Sequence, residues 1–137
     1  MSYLLDTNVI SELRKGDRAD ANVRAWFGEL GEEEIYLSVL TIGEVRRGVE
    51  SVRRRDPESA TALDSWLARL GEAHRDRILP LDRAIAEEWG RMNVPNPLPV
   101  VDGLLAATAK VVGLTFATRN IVDVEGSGVK LLNPFSG

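Results

Sequence analysis

Apolar positions along this chain fall in short runs and in helical stripes, and the two alternate. Tyr3-Leu4-Leu5 is a continuous apolar run ended by Asp6, the pattern of a short buried strand. Thr7 and Asn8 then offer side-chain oxygens to cap a helix that carries Val9, Ile10 and Leu13 and stops near Gly16. Val23, Trp26, Phe27 and Leu30 recur at helical spacing, which predicts a second helix over 21–30. Residues 35–40 are β-rich and apolar, a second strand. It feeds a helix that begins near Thr41 and turns Val45 and Val49 inward.

Asp56-Pro57 breaks that helix, and a long amphipathic one follows over 58–71 with Leu63, Trp66, Leu67 and Leu70. Arg77-Ile78-Leu79-Pro80 reads as a short edge strand, because Pro80 cannot donate to a ladder. Asp82 opens a helix with Ile85 and Trp89. Pro95, Pro97 and Pro99 exclude helix from 93–99 and predict a rigid loop. Asp102 starts an apolar helix through 104–112, closed at Gly113 by a left-handed cap. Residues 114–118 and 129–132 are the last strands. This alternation predicts an α/β fold: a doubly wound, mainly parallel sheet of four to five strands flanked by helices. A single domain over 1–137 is expected, with the helical pair near 41–76 projecting as a clip.

Composition changes the picture mainly by exclusion. At 137 residues, 44% hydrophobic and 28% charged, the chain has the balance of a globular domain. Without cysteine there is no disulfide, thiol catalysis or thiolate metal site. One histidine, His74, excludes a histidine-rich zinc site and a serine-type triad, so metal binding or acid–base work falls to carboxylates. His74 itself reads as a surface residue near a helix end, and the three tryptophans sit at core spacing. The net charge of −4 argues against bulk attraction to nucleic acid. Five arginines in 46–55 nonetheless make that stretch +4 and leave −8 elsewhere. Asp6 interrupts any signal segment and no apolar stretch reaches about 18 residues, so a cytoplasmic protein without membrane association is expected.

Ligands of open parallel sheets collect beyond the carboxyl ends of the strands, where the strand order switches. Asp6, Glu44 and the Asn120/Asp123 pair all fall just past an inferred strand end, and Asp102 opens the helix that feeds the 114–118 strand. Clustered carboxylates repel and take up protons unless a cation intervenes. Oxygen donors without His or Cys favour Mg²⁺ or Mn²⁺ over zinc, the equipment for metal-activated water attacking a phosphodiester. Each acid also has a structural explanation. Thr41-x-x-Glu44 is a capping box, Asp102 complements a helix dipole, Asp6 begins a turn-and-cap cluster, and Asp123 is a loop acid. Asp6 resists this explanation most, because it ends a fully apolar strand.

Four motifs in register resemble the PIN-domain nucleases of VapC-type toxins. They are Leu4-Leu5-Asp6-Thr7-Asn8-Val9-Ile10-Ser11-Glu12; Leu37-Ser38-x-x-Thr41-x-x-Glu44-Val45-x-x-Gly48; Val101-Asp102-Gly103-Leu104-Leu105-Ala106-Ala107-Thr108-Ala109 followed by Ala117-Thr118-Arg119-Asn120; and a closing Asn133-Pro134-Phe135. The resemblance implies a PIN-like fold and an Mg²⁺-dependent endoribonuclease, with Mn²⁺ a workable substitute. It implies a VapB-like antitoxin as partner and a homodimer. Asp6, Glu44 and Asp102 match the family's central acids, with Asp6 and Asp102 holding the metal and Glu44 orienting the nucleophile or completing the shell. Thr7, Asn8 and Thr118 match residues that orient these carboxylates or a metal-bound water. The fourth family acid is Asn120 here, and Asp123 stands three residues on to supply the charge, which favours one firmly bound ion over two.

Arg46, Arg47, Arg53, Arg54 and Arg55 have three readings: a grip on RNA phosphates, a contact for an acidic antitoxin segment, and a solvated helix face. The apolar helices near Trp26 and Trp66 suggest a partner groove. Rival assignments are an inactive PIN-like binding scaffold, supported by Asn120, and an RNA-processing PIN nuclease that is no toxin. A haloacid-dehalogenase-type phosphatase is disfavoured because its second aspartate is Asn8 here, and the acids lack receiver-domain spacing.

Overall fold

A computed structural model describes residues 1–136. Five strands, β1 (Tyr3–Leu5), β2 (Ile35–Ser38), β3 (Ile78–Leu79), β4 (Thr115–Ala117) and β5 (Leu131–Leu132), form one sheet in the order β3-β2-β1-β4-β5. Every neighbouring pair is parallel. The seven helices among the described residues are α1 (Thr7–Leu13), α2 (Ala21–Gly28), α3 (Val39–Arg53), α4 (Pro57–Ala73), α5 (Arg83–Met92), α6 (Val100–Val112) and α7 (Ile121–Val124). None of the described helices is long and apolar enough to cross a membrane.

Side-chain alternation along the strands sorts the core onto two faces. Leu5, Leu37 and Ala117 point one way, into a cluster with Val9, Ile10, Val45, Val49, Ala60 and Leu67 from α1, α3 and α4. Leu4 and Phe116 point the other way, against Leu105, Ala106 and Ala109 of α6 and Val124 of α7. Leu4, Leu5, Leu37 and Phe116 are all fully buried, as a sheet covered on both faces requires. The run from β1 builds outward to β2 and β3, then crosses to β4 and β5 on the opposite side. The order of strands therefore switches at the β1–β4 pair, with Leu5 opposite Ala117 at its carboxyl end.

Several boundaries differ from the sequence reading. Asp6, not Thr7 or Asn8, caps α1: its backbone is extended and its carboxylate accepts the Thr7 N–H. β2 ends at Ser38, whose hydroxyl accepts the Leu40 N–H, so α3 starts two residues before Thr41 and the Thr41–Glu44 capping box does not form. α6 starts at Val100, directly after Pro99, and Asp102 lies in its first turn. Residues 121–124 form α7 where no helix is expected. Gly113 closes α6 at φ +86°, a left-handed conformation that costs an L side chain about 1–2 kcal/mol.

Several other expectations are met locally. Asp56 and Asp82 cap α4 and α5, and β3 lies on a sheet edge. His74 ends α4, its ring Nδ1 3.0 Å from the Leu70 carbonyl. Trp26 packs edge-on against Tyr3, with ring centroids 5.2 Å apart. Trp66 is partly buried against the first cluster, and Trp89 lies where a Cβ on Gly103 would meet its Nε1 at 3.3 Å.

Candidate active site at the carboxyl edge of the sheet

Asp6 leaves β1 at the strand switch and is only 4% exposed. A buried carboxylate needs donors, and it has them. The Thr7 N–H reaches Oδ1 at 2.7 Å, the Thr118 hydroxyl donates to Oδ2 at 2.7 Å, and Asn8 Nδ2 lies 3.4 Å from Oδ2. Burial still pushes the Asp6 carboxyl above its ordinary pKa. The Thr118 and Thr7 hydrogen bonds oppose that rise, and the charge of Glu44 adds to it.

Thr118, fully buried at the end of β4, uses its hydroxyl twice: it donates to Asp6 and accepts the Asn120 N–H at 2.9 Å. One hydroxyl thus ties the β4 exit to the β1 exit, 112 residues apart in sequence. Glu44 lies on the second turn of α3, and its Oε1 accepts a short hydrogen bond from the Thr7 hydroxyl. Glu44 is joined to α1 across the cleft, not to the start of its own helix.

Asp102 is half-buried in the first turn of α6. Its carboxyl is pushed up to about 6, chiefly by burial and then by the charges of Asp6, Asp123 and Glu44, while the Asn120 side chain offsets part of the rise. The mutual effect of these charges puts all four acids in one electrostatic neighbourhood. Asn120 and Asp123 are exposed at its rim, with the Asp123 N–H donating to the Asn120 carbonyl at 3.1 Å. Among the described residues no three acidic side chains stand in ion-holding geometry. The donor set is nonetheless all hard oxygen, with no nitrogen or sulfur competitor. Mg²⁺ needs only one or two carboxylates and keeps its waters, so the residues present suit it.

The arginines divide. Arg46 and Arg53 both pair with Glu50 and Asp64, at 2.7–3.1 Å, and link α3 to α4. Arg55 donates to the Ser51 carbonyl, and Arg47 and Arg54 are exposed. Arg53 lies nine residues beyond Glu44 along α3, about two and a half turns from it. A groove opens from Thr7 and Glu44 between α1, α3 and α4, walled by Val45, Val49, Leu63 and Trp66 with Arg14 at its side. Arg119, a cation between two site residues, is not among the residues that the sequence pattern singles out. The signal was its position in the Thr118-Arg119-Asn120 run.

Three comparisons bear on this arrangement. Residues 3–121 match the PIN domain. The chain is 32% identical to Toxin FitB of Neisseria gonorrhoeae, over 96% of this chain and 97% of that protein. It is 34% identical to VapC ribonuclease Y4jK of Sinorhizobium fredii, over 96% of each. The crystal structure of FitAcB from Neisseria gonorrhoeae matches it with a TM-score of 0.90 at 32% identity, covering 98% of this chain and 99% of that one.

Proposed function

This chain belongs to the PIN-domain family, and from that premise we propose that it is a divalent-metal-dependent endoribonuclease acting as the toxin of a toxin–antitoxin pair. The observation that carries the reading is the Asp6–Thr118 bond at the strand switch, with Glu44 tied in through Thr7 and Asp102 coupled by charge. Asp6 and Asp102 are the residues that would hold Mg²⁺ or Mn²⁺, directly or through water. When bound, the ion lowers the pKa of a water and offsets charge on the scissile phosphate.

The chain's own groups do the positioning. Thr118 and the Thr7 N–H hold the Asp6 carboxylate in one orientation. Glu44, steadied by the Thr7 hydroxyl, orients the attacking water or completes the shell of the ion. Asn120 replaces a charged group with a neutral amide beside Asp102, so Asp123 supplies the rim charge and a single ion suffices. The groove beginning at Glu44 seats a segment of a VapB-like antitoxin, and its nearness to the acids explains how a partner blocks RNA. In this reading the protein works as a cytoplasmic homodimer.

The test is cleavage of total bacterial RNA with Mg²⁺ or Mn²⁺ against EDTA, with identically purified Asp6→Ala alongside. Metal-dependent cutting absent from the variant is expected. Equal cutting by the variant would mean a contaminating ribonuclease or a different active centre.

A further inference from the structure

Arg119 sits between Thr118, which holds Asp6, and Asn120, which faces Asp102. Its own N–H lies 3.4 Å from Asn8 Oδ1, and the Asn8 amide reaches toward Asp6. The side chain is exposed and, among the described residues, makes no ion pair. The acid whose titration it influences, Glu12, is already engaged by Lys15 Nζ at 3.0 Å and the Asp20 N–H at 2.8 Å. The guanidinium instead lies over the Phe135 ring, 4.0 Å from its centroid.

Phe135 is itself anchored. Its N–H donates to Asn133 Oδ1 and its carbonyl accepts from Asn22 Nδ2, both at 2.9 Å. Stacking uses the face of a guanidinium and leaves the N–H donors at its edge available, in the fork that matches phosphate. The result is a cation lying over an aromatic ring on the loop beside the acidic cleft, with no side-chain hydrogen bond or ion pair among the described residues.

We propose that Arg119 binds a phosphate of the RNA substrate flanking the one being cut, with Phe135 as its platform. The proposal rests on the nuclease reading above. A cleft of four acids in a chain of net charge −4 repels a polyanion, so the approach of RNA needs a cation at the cleft itself. Arg46 and Arg53 do not meet that need, being paired with Glu50 and Asp64. Arg119, on the loop between Thr118 and Asn120 beside the cleft, makes no ion pair among the described residues, and its contact with Phe135 reduces the freedom lost when it engages phosphate.

The test measures binding of a labelled single-stranded RNA in EDTA across a salt series, and KM and kcat in Mg²⁺, for wild type, Arg119→Ala, Arg119→Lys and Phe135→Leu. Arg119→Ala is expected to bind roughly tenfold more weakly, with a log–log salt slope shallower by about one. Its KM rises by a similar factor while kcat changes little. Arg119→Lys keeps the slope but loses part of the affinity, since the fork and the stack are gone, and Phe135→Leu lies between wild type and Arg119→Ala. Arg119→Ala matching wild type in affinity, slope and KM overturns the proposal. If that variant also melts earlier, the stack is only a clasp on the C-terminal segment. A wild type that neither binds nor cuts RNA defeats the nuclease reading itself, whereas cutting that is indifferent to Arg119 defeats only this assignment.

Discussion

At Thr118 one hydroxyl decides how a buried carboxylate is held, and Thr118→Val isolates its effect. The substitution keeps the shape but removes a donor from Asp6, and leaving a buried charged group short of a partner costs about 1–3 kcal/mol. The expected result is a lower urea midpoint and a kcat that falls more than KM rises. Asp102 gives a pH test with a definite sign. Its carboxyl titrates near 6 in the fold against 3.8 when free, so the folded state holds the proton more tightly. Its contribution to stability is therefore greatest below about pH 4 and is lost as pH rises through about 6. Glu12, Glu50 and Glu88, held low by their cationic partners, act in the opposite sense. The difference in urea midpoint between metal-free wild type and Asp102→Asn, followed from pH 4 to 7, separates the two; a pH-independent difference would contradict the assignment. Asp6, Glu44 and Asp102 were legible as candidates because each follows an apolar strand or opens an apolar helix. The Thr7–Glu44 bond was not, since it spans 37 residues and local pattern offers a capping box instead.

Among the elements, the period of the apolar positions identified every strand and all helices but α7, while the ends moved by one or two residues wherever a cap was misassigned. Ser38 took over the start of α3 because its hydroxyl reaches Leu40 N–H directly after the strand. Four residues, as in α7, are too few to show a helical period. Gly113 forms the left-handed cap that its place after the apolar helix predicts, and it separates stability from activity. It lies at the far end of α6 from Asp102, feeding the amino end of β4, away from the acids. Gly113→Ala imposes a left-handed conformation on a residue with a Cβ and is expected to cost about 1–2 kcal/mol. Chemical denaturation should show that loss, while kcat on RNA stays at the wild-type value. A large fall in kcat at full folding would mean that α6 transmits strain to its first turn.

For the whole molecule, the strand order explains why dispersed residues meet. Alternation in the sequence predicted a doubly wound sheet, but the order β3-β2-β1-β4-β5 rests on pairings between distant segments that no local pattern encodes. With β1 beside β4, the exits carrying Asp6 and Thr118 become adjacent, and α6 brings Asp102 to the same edge. Repulsion among these acids is a cost borne by the entire fold, because unfolding disperses them. A cation that binds the assembled site and not the unfolded chain therefore stabilises globally. At one hundred times its Kd it contributes about 2.7 kcal/mol. For a domain of this size, that shifts Tm by on the order of 10 °C. Mg²⁺ titrated into EDTA-treated wild type should raise Tm along that curve, and Mn²⁺ should do likewise. In Asp102→Asn the metal-free protein should start from a higher Tm, since one repelling charge is gone, and gain less from the ion. An equal gain in that variant would place the cation elsewhere on the molecule, and the Asp6–Asp102 assignment would have to be abandoned.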